Sequence, residues 1–185
     1  MATLDPTDPA VWRQVQRTLA RTQRSSLHCA IASISADGHP HVSPIGSLRL
    51  GEPAKGTYLD VFNVQLGRNI DQDPRITVLA VDSSPTTWLR GLVEGRFPNP
   101  PGVRLVGTAS PSRPATQQEI DRFRRSVRPT LLTKGGRALF GQVGRVKTRD
   151  LTFTGVIPVR ASTLTSHLWR FGDNDASHEE AVRSR

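Results

Sequence analysis

The sequence predicts a mainly β fold with two flanking α-helices. Two apolar runs flank Asp37-Gly38, a pair of residues that favours a tight hairpin turn between antiparallel strands. Further apolar runs follow, bounded by turn-forming residues, and two other segments carry apolar residues at helical spacing. A chain of 185 residues is long enough for one domain with a substantial core.

The predicted elements follow from local patterns along the chain. Asp8 is a favourable N-cap and Pro9 suits a first helical turn, which predicts a helix over 8–22. Its apolar stripe consists of Val11, Trp12, Val15 and Leu19. Strands are predicted at 27–36, 41–50, 57–63, 75–82, 103–109 and 151–160, with a short helix or turn at 65–73.

The second half of the chain contains a long connection and a second helix. Segment 83–102 is rich in Pro and Gly and is predicted to be an irregular loop. Its apolar residues Trp88, Leu89, Leu92 and Phe97 indicate packing against another surface, for which a partner subunit is one candidate. The sequence Thr116-Gln-Gln-Glu119 is a capping box and begins a helix predicted over 116–128. We expect one domain over 1–172, followed by a polar tail over 173–185.

Composition narrows the classes of function. The net charge is +9, and Lys55, Lys134 and Lys147 are the only lysines among 25 basic residues. Arginine suits planar, bidentate contacts with phosphate or carboxylate, so an anionic ligand, a nucleic acid or simple solubility each explains the excess. The arginine cluster on the second helix has no interleaved aromatics and no nucleic-acid motif, so no nucleic-acid partner is predicted.

Cysteine and histidine usage, together with hydropathy, predicts a cytoplasmic protein without a metal site. Cys29 is the only cysteine and lies in an apolar run, where it is expected to pack as a small hydrophobic residue. His39 and His41 near it lack metal-ligand spacing. The first residues lack a signal pattern and no 18-residue apolar stretch occurs, so no membrane association is expected.

The order of elements over roughly 27–110 resembles the FMN-binding split barrel of the pyridoxamine 5'-phosphate oxidase-like family. The resemblance is carried by the hairpin around Asp37-Gly38, by the third strand, and by the segment Gly67-Arg68-Asn69-Ile70 that precedes Pro74 and the fourth strand. It implies a six-stranded antiparallel split β-barrel. It also implies a homodimer with the cofactor at the interface and a small-molecule substrate.

In this family, basic residues in the turn after the third strand hold the flavin phosphate, which assigns that role to Arg68 and Asn69. A segment that opens a short helix also offers free N–H groups to a phosphate. The family often carries another Lys or Arg two or three residues earlier, where this chain has Gln65 and Leu66. The other interpretation is that Arg68 is a solvated residue at the helix start and Asn69 a local cap.

The strand after the hairpin runs along the isoalloxazine ring in the family, which assigns ring contacts to Ser43, Pro44 and Ile45. Alternation places His41, Ser43 and Ile45 on one face of this strand and Val42 and Pro44 on the other. A proline removes a ladder donor, so Pro44 requires an edge strand, a bulge or a ligand. The alternative is a slightly irregular barrel strand.

Four further residues are candidates of a weaker kind. Phe62 and Asn63 end the third strand, where Asn63 either hydrogen-bonds a flavin edge or closes a local turn. Arg104 either reaches a phosphate across the dimer interface or is a paired surface residue. His41 is the one candidate for acid–base catalysis, since imidazole titrates near neutral pH.

The predicted function is an FMN-dependent oxidoreductase acting on a small molecule, in which the cofactor supplies the chemistry and the protein orients it. Three alternatives stay open: a reductase using the deazaflavin F420, whose acidic tail suits the arginines; a haem-binding protein with a histidine ligand; and a non-catalytic cofactor-binding protein. The chain has no convincing counterpart of the C-terminal arginine-histidine motif of true pyridoxamine-phosphate oxidases.

Overall fold

The computed structural model describes residues 3–60, 63–128, 132–135 and 146–169. The helices are α1 (Pro9–Ser26), α2 (Val64–Gln72), α3 (Pro85–Val93) and α4 (Gln117–Val127). The strands are β1 (Cys29–Ile34), β2 (Pro40–Ile45), β3 (Arg49–Leu50), β4 (Lys55–Asp60), β5 (Arg75–Val81), β6 (Gly102–Ala109), β7 (Arg113–Pro114) and β8 (Lys147–Pro158).

One antiparallel sheet contains all of these strands, in the order β2-β1-β5-β6-β8-β4-β3, and β7 also pairs with β8. The predicted mainly β, split-barrel fold with flanking helices is therefore confirmed. The strand predicted over 41–50 is broken, because the chain leaves β2 after Ile45 and continues as β3 on β4, at the other edge of the sheet. The predicted tail over 173–185 lies outside the described residues.

Helix α1 packs against β1, β5 and β6 of the curved sheet. The Asp8 carboxylate caps it by accepting a hydrogen bond from Ala10 N at 2.7 Å. The predicted apolar stripe is buried, and Trp12 packs against Phe153 of β8 with ring centroids 5.9 Å apart. The helix continues to Ser26, beyond the predicted end at 22, and stops where Leu27 adopts a left-handed conformation with φ +62°.

Strand β2 forms an edge of the sheet, which explains its two prolines. Pro44 is paired with Ala30 of β1, and its carbonyl accepts a hydrogen bond at 3.4 Å from the Asn63 side chain. His41, Ser43 and Ile45 are partly or fully buried while Val42 and Pro44 are exposed, as the alternation predicts. An edge strand is one of the few places in a sheet that tolerates proline.

The predicted irregular loop over 83–102 contains a helix, so that prediction was wrong. Pro85 occupies the first turn of α3, where the missing N–H costs nothing, and does not break a helix there. The Trp88 indole donates to the Asp82 carbonyl at 2.6 Å, and its ring meets Phe97 edge-on at 5.2 Å. Phe97 is fully buried within its own chain, whereas Leu89, Leu92 and Val93 are exposed.

Arg149 joins β8, β4 and α2 in the interior. Its side chain is 2% exposed and lies 3.3 Å from the Asp60 carboxylate and 2.8 Å from that of Asp71. It also donates to the carbonyls of Gly67 and Ser110, both at 3.2 Å. Burial lowers the pKa of Arg149, but the hydrogen bonds and charges of Asp71 and Asp60 outweigh burial, so the net shift is upward.

Replacing Arg149 by Met should strongly destabilise the fold. The substitution leaves the Asp60 carboxylate with little solvent and no cation, and removing one member of a buried ion pair costs roughly 3 kcal/mol or more. Urea unfolding of wild type and Arg149→Met measures this loss. Arg75→Met is the control, because Arg75 pairs with Asp73 at the surface and should contribute less than about 1 kcal/mol. Similar losses in both variants would contradict the prediction.

Candidate functional site

A cleft of about 590 Å³ lies where α1, α4, β4 and the segment joining β2 to β3 meet. Its volume falls within the range of pockets that bind small molecules and cofactors. Most of the described lining is apolar, with polar groups from each wall. The lining residues are Ala20, Gln23, Arg24, Leu27, Pro44, Ile45, Gly46, Ser47, Arg49, Leu59, Asn63, Phe123, Ser126 and Val127.

Side chains hold the segment between β2 and β3 in place at the floor of the cleft. The Ser47 hydroxyl donates to the Leu59 carbonyl and accepts from the Leu59 N–H, both at 3.1 Å. These two bonds tie the end of β2 to β4 where the barrel has no continuous strand pairing. Gln23 of α1 donates to the Leu48 carbonyl at 2.8 Å, which fixes the same segment from the helix side.

Helix α4 forms a wall of the cleft although none of its residues is fully buried. Its N-terminus has the predicted capping box, in which the Thr116 hydroxyl accepts from Glu119 N–H and the Glu119 carboxylate accepts from Thr116 N–H. Arg113 pairs with Glu119 at 2.9 Å and with Asp150 of β8 at 2.7 Å. This ion-pair network therefore attaches the cleft wall to the sheet.

The described lining of the cleft carries two arginines and no acidic residue. Arg49 is partly buried, and its Nη1 donates to the Leu48 carbonyl at 2.8 Å. Burial lowers the pKa of Arg49, because desolvation disfavours a charged guanidinium. Arg24 projects from the exposed side of the last turns of α1. The cleft is thus a positively charged, largely apolar cavity.

Three of the residues predicted to contact a cofactor line this cleft: Pro44, Ile45 and Asn63. Asn63 directly precedes α2 and its amide reaches the Pro44 carbonyl, so the ends of β2 and β4 meet there. Phe62, predicted beside Asn63, lies outside the described residues. The part of the strand predicted to follow the flavin ring is therefore a wall of the cleft.

Ser43 and His41 are not among the residues that line this cleft. Ser43 is 4% exposed, and its hydroxyl lies 3.4 Å from Nδ1 of His41. Neither side chain is part of the described cleft lining. If Ser43 contacts a ligand there, it does so through its backbone.

Arg68 and Asn69 do not open a helix, contrary to the expectation from sequence. Helix α2 starts at Val64, and the Gly67 N–H already donates to the Asn63 carbonyl, so Arg68 lies in the second turn. Arg68 is exposed, and it lies outside the cleft. Asn69 is buried and donates to the Ser33 hydroxyl at 3.1 Å, which connects α2 to β1.

Arg104 lies in the middle of β6, opposite Leu79 of β5 and Ile157 of β8. Its neighbours Val103 and Leu105 face the core, so Arg104 belongs to the outer face of the sheet and is not in the cleft.

In the described part of the chain, no group of three or more His, Cys, Asp or Glu residues is placed to hold a metal ion.

Arg24, Arg49 and the apolar face of α4 line the cleft but were not predicted as site residues. Helical spacing brings Arg24 four residues after Ala20, so both lie on one face of α1, and that signal was available in the sequence. Arg49 had no such signal, since its place in the cleft depends on the chain crossing from β2 to β4.

Helices that cross membranes need length and hydrophobicity together, and none in the described residues has both.

A curled antiparallel sheet with flanking helices and a cleft at its split edge defines a split β-barrel. A family model described as pyridoxamine 5'-phosphate oxidase matches residues 16–140, which is more than half of the chain. The protein therefore belongs to the pyridoxamine 5'-phosphate oxidase family, as the resemblance predicted. No curated protein matches the chain.

Solved structures share the fold at low sequence identity. A candidate pyridoxamine 5'-phosphate oxidase from Lactobacillus delbrueckii is 16% identical over 85% of this chain and 99% of its own, with a TM-score of 0.50. HupZ from Group A Streptococcus is 16% identical over 80% and 94%, with a TM-score of 0.52. An FMN-binding protein from Syntrophomonas wolfei is 9% identical over 81% and 88%, with a TM-score of 0.52.

The attachment of α4 should depend on pH. The Arg113 guanidinium lowers the pKa of Glu119 from 4.5 to about 2 in the folded protein. A carboxylate whose pKa is lower in the folded state than in the unfolded state stabilises the fold at pH values above its unfolded-state pKa. This stabilisation is lost as the pH falls through the folded-state pKa. We therefore expect Glu119→Gln to lower the melting temperature at pH 7, and the difference from wild type to shrink between pH 4.5 and about 2. Thermal unfolding across this range measures it.

Asp121→Asn is the matched control on the same helix. Asp121 accepts a hydrogen bond from Gln117 at 2.9 Å, and no ion pair of this residue occurs in the described residues. A constant difference between Glu119→Gln and wild type at all pH values would show that the carboxylate does not stabilise α4 through its charge.

Proposed function

We propose that the protein is an FMN-dependent oxidoreductase that acts on a small molecule. The observation that carries this proposal is the cleft at the split edge of the barrel, which has apolar walls and the backbone of an edge strand on one side. Its described lining contains two arginines and no acidic residue, so the lining has a net positive charge. Membership of the family supports the assignment. So does the occurrence of an FMN-binding protein on the same fold in Syntrophomonas wolfei.

The residues of the cleft fit a flavin in size and chemistry. Apolar surface from Pro44, Phe123 and Val127 suits a ring system, while Asn63 adds an amide group to the lining. The backbone of Ser43, Pro44 and Ile45 would run beside the ring, as the family resemblance implies. Bound FMN supplies hydride transfer, and the protein supplies orientation and exclusion of water.

No described residue of the cleft lining is a histidine or a carboxylic acid, so the protein is proposed to position the reactants without a side-chain proton donor from that set. His41 lies beside Ser43 and does not line the cleft, so acid–base catalysis by His41 is not part of the proposal. Arg68 and Arg104 do not line the cleft, so phosphate contacts by these two residues are not part of the proposal either.

A deazaflavin reductase is the second candidate function, because Arg24 and Arg49 suit the acidic tail of F420. The haem alternative requires an axial ligand, and the described cleft lining contains no His, Cys, Met or Tyr. A non-catalytic binding protein would use the same cleft and would differ only in lacking turnover.

We expect FMN to bind at one molecule per chain, and Leu27→Trp to weaken its binding at least tenfold. Leu27 lines the cleft and is 77% exposed, so a larger side chain narrows the cavity without disturbing the core. Fluorescence titration of FMN measures both affinities, and the tenfold loss corresponds to about 1.4 kcal/mol of binding free energy. Leu27→Ala is the control and should bind FMN within about threefold of wild type.

F420 titrated in parallel decides between the two cofactors. If a nicotinamide reduces the bound flavin and a small-molecule acceptor re-oxidises it, the protein is an enzyme. If the bound flavin does not turn over in this way, the protein is a carrier. Failure of both cofactors to bind would contradict the proposal.

We also propose that the protein is a homodimer. The exposed Leu89, Leu92 and Val93 form an apolar patch on α3 that a second copy would cover. Sedimentation should give about twice the 20.3 kDa chain mass at micromolar concentration. Leu89→Glu with Leu92→Glu should shift the protein toward the monomer. Val64→Glu, at an apolar residue that is 67% exposed elsewhere, should not. A wild-type monomer would refute the proposal.

A further inference from the structure

Helix α1 exposes a row of arginines to solvent. Arg13, Arg17 and Arg24 follow one another at steps of four and seven residues, which places all three on one face of the helix. Each of them is exposed, and the buried apolar stripe of α1 lies on the opposite face. The helix contains no Asp and no Glu. These three residues, the α1 arginine row, therefore give its solvent face positive charge alone.

No carboxylate elsewhere in the described residues neutralises this row. The ion pairs of the described chain involve other arginines and none of these three. Arg13 donates to the carbonyl of Pro9 at 3.2 Å, which is a contact within its own helix. The fourth arginine of α1, Arg21, is half-buried and lies 3.9 Å from the Asp82 carboxylate, so it belongs to the protein interior and not to the row.

The row opposes helix formation when no anion is present. Like charges four residues apart destabilise a helix, and Arg13 with Arg17 and Arg17 with Arg21 are two such pairs. Burial lowers the pKa of Arg21, Asp82 opposes this shift, and repulsion from Arg17 and Arg24 adds to it. An anionic partner on the solvent face would remove this repulsion. The row is therefore suited to binding and not to folding.

The spacing and the chemistry of the row fit an array of phosphates. From Arg13 to Arg24 the row spans about 16 Å along the helix axis, at about 1.5 Å per residue. This is the axial length of about five base pairs of duplex DNA. A guanidinium donates paired hydrogen bonds to phosphate oxygens. Ala20, which lies between Arg17 and Arg24 on the same face, is too small to keep a phosphate backbone away.

Other anionic polymers and surfaces fit this face less well. A helix that binds a membrane inserts its apolar face, whereas the apolar stripe of α1 is buried in the protein. Single-stranded nucleic acids stack on aromatic side chains, and the one aromatic residue of α1, Trp12, is buried. Duplex RNA is also contacted through its 2′-hydroxyls, for which the arginine row offers no acceptor. Duplex DNA is the partner that this face fits best.

Helix α4 and the charge of the whole chain extend the positive surface. Helix α4 lines the same cleft as the C-terminal half of α1, and it exposes Arg122, Arg124 and Arg125. The net charge of +9 favours encounter with a polyanion. The lack of a nucleic-acid motif, on which the sequence prediction of no such partner rests, argues against base reading. Phosphate contacts need no motif.

We propose that the α1 arginine row binds duplex DNA through its phosphates, without reading the base sequence. Binding of this kind releases counter-ions, so its affinity falls steeply as salt is added, with a slope near −0.9 for each phosphate contacted. The inference goes beyond the proposed redox function, because Arg13 and Arg17 do not line the cleft and the DNA would lie on the solvent face of α1.

Fluorescence anisotropy with a labelled DNA duplex of about 20 base pairs, titrated between about 50 and about 200 mM salt, tests the proposal. The variant combines Arg13→Gln with Arg17→Gln. We expect it to reduce the slope of log affinity against log salt by about 1.8, which is about 0.9 for each arginine removed. The reduction should be the same for two duplexes of unrelated sequence, since phosphate contacts carry no sequence information.

Arg75→Gln combined with Arg90→Gln is the matched control. It removes the same two charges, but from exposed arginines that are paired with Asp73 and Glu94. Its slope should stay within about 0.5 of wild type, less than the loss of one phosphate contact. Thermal unfolding checks that the row variant is folded, and it should melt no lower than wild type because it relieves repulsion along α1.

The possible outcomes are distinct. Absence of binding by wild type at low salt, or equal losses of slope in both double variants, would overturn the proposal. Equal competition by duplex RNA or by poly-glutamate of the same charge would overturn the assignment to DNA. The row variant should bind FMN as wild type does. If FMN does not bind to wild type, the proposed function fails while the DNA titration, which uses no cofactor, still decides this inference.

Discussion

The buried guanidinium of Arg149 is the interaction on which the arrangement of the barrel depends. It is 2% exposed, yet it makes contacts with β4 through Asp60 and with α2 through Asp71 and Gly67. A charge in that position is stable only when carboxylates and carbonyls surround it, so the three elements must assemble together. Gly67 favours this approach, because a Cβ there would make a tight contact of 3.0 Å with Asp60 Oδ2.

The cleft follows from this assembly and from the way α1 covers the sheet. Once α2 and β4 are fixed, Asn63 meets the Pro44 carbonyl and Ser47 bridges to Leu59, which leaves a gap at the split edge. Helix α1 then holds the backbone around β3 through hydrogen bonds from its glutamine side chains. Packing therefore determines where the site lies, and charge determines which ligands suit it.

Local patterns predicted much of the fold, and long-range contacts explain what they missed. The hairpin at Asp37-Gly38, the stripe of α1 and the capping box of α4 depend on neighbouring residues, so the sequence alone indicates them. Helix α3 was missed because Pro85 signals a loop and a helix start equally well. Arg49 was missed because Gln23, which positions its backbone, is 26 residues away in the sequence.

The proline-bearing edge of the sheet has a consequence for self-association. Open strand edges invite further strands to add, which is how fibrils grow. Strand β2 carries Pro40 and Pro44, which have no N–H to donate, and β3 at the opposite edge is only two residues long. Both edges are therefore poor templates for strand addition, although the sheet is not closed.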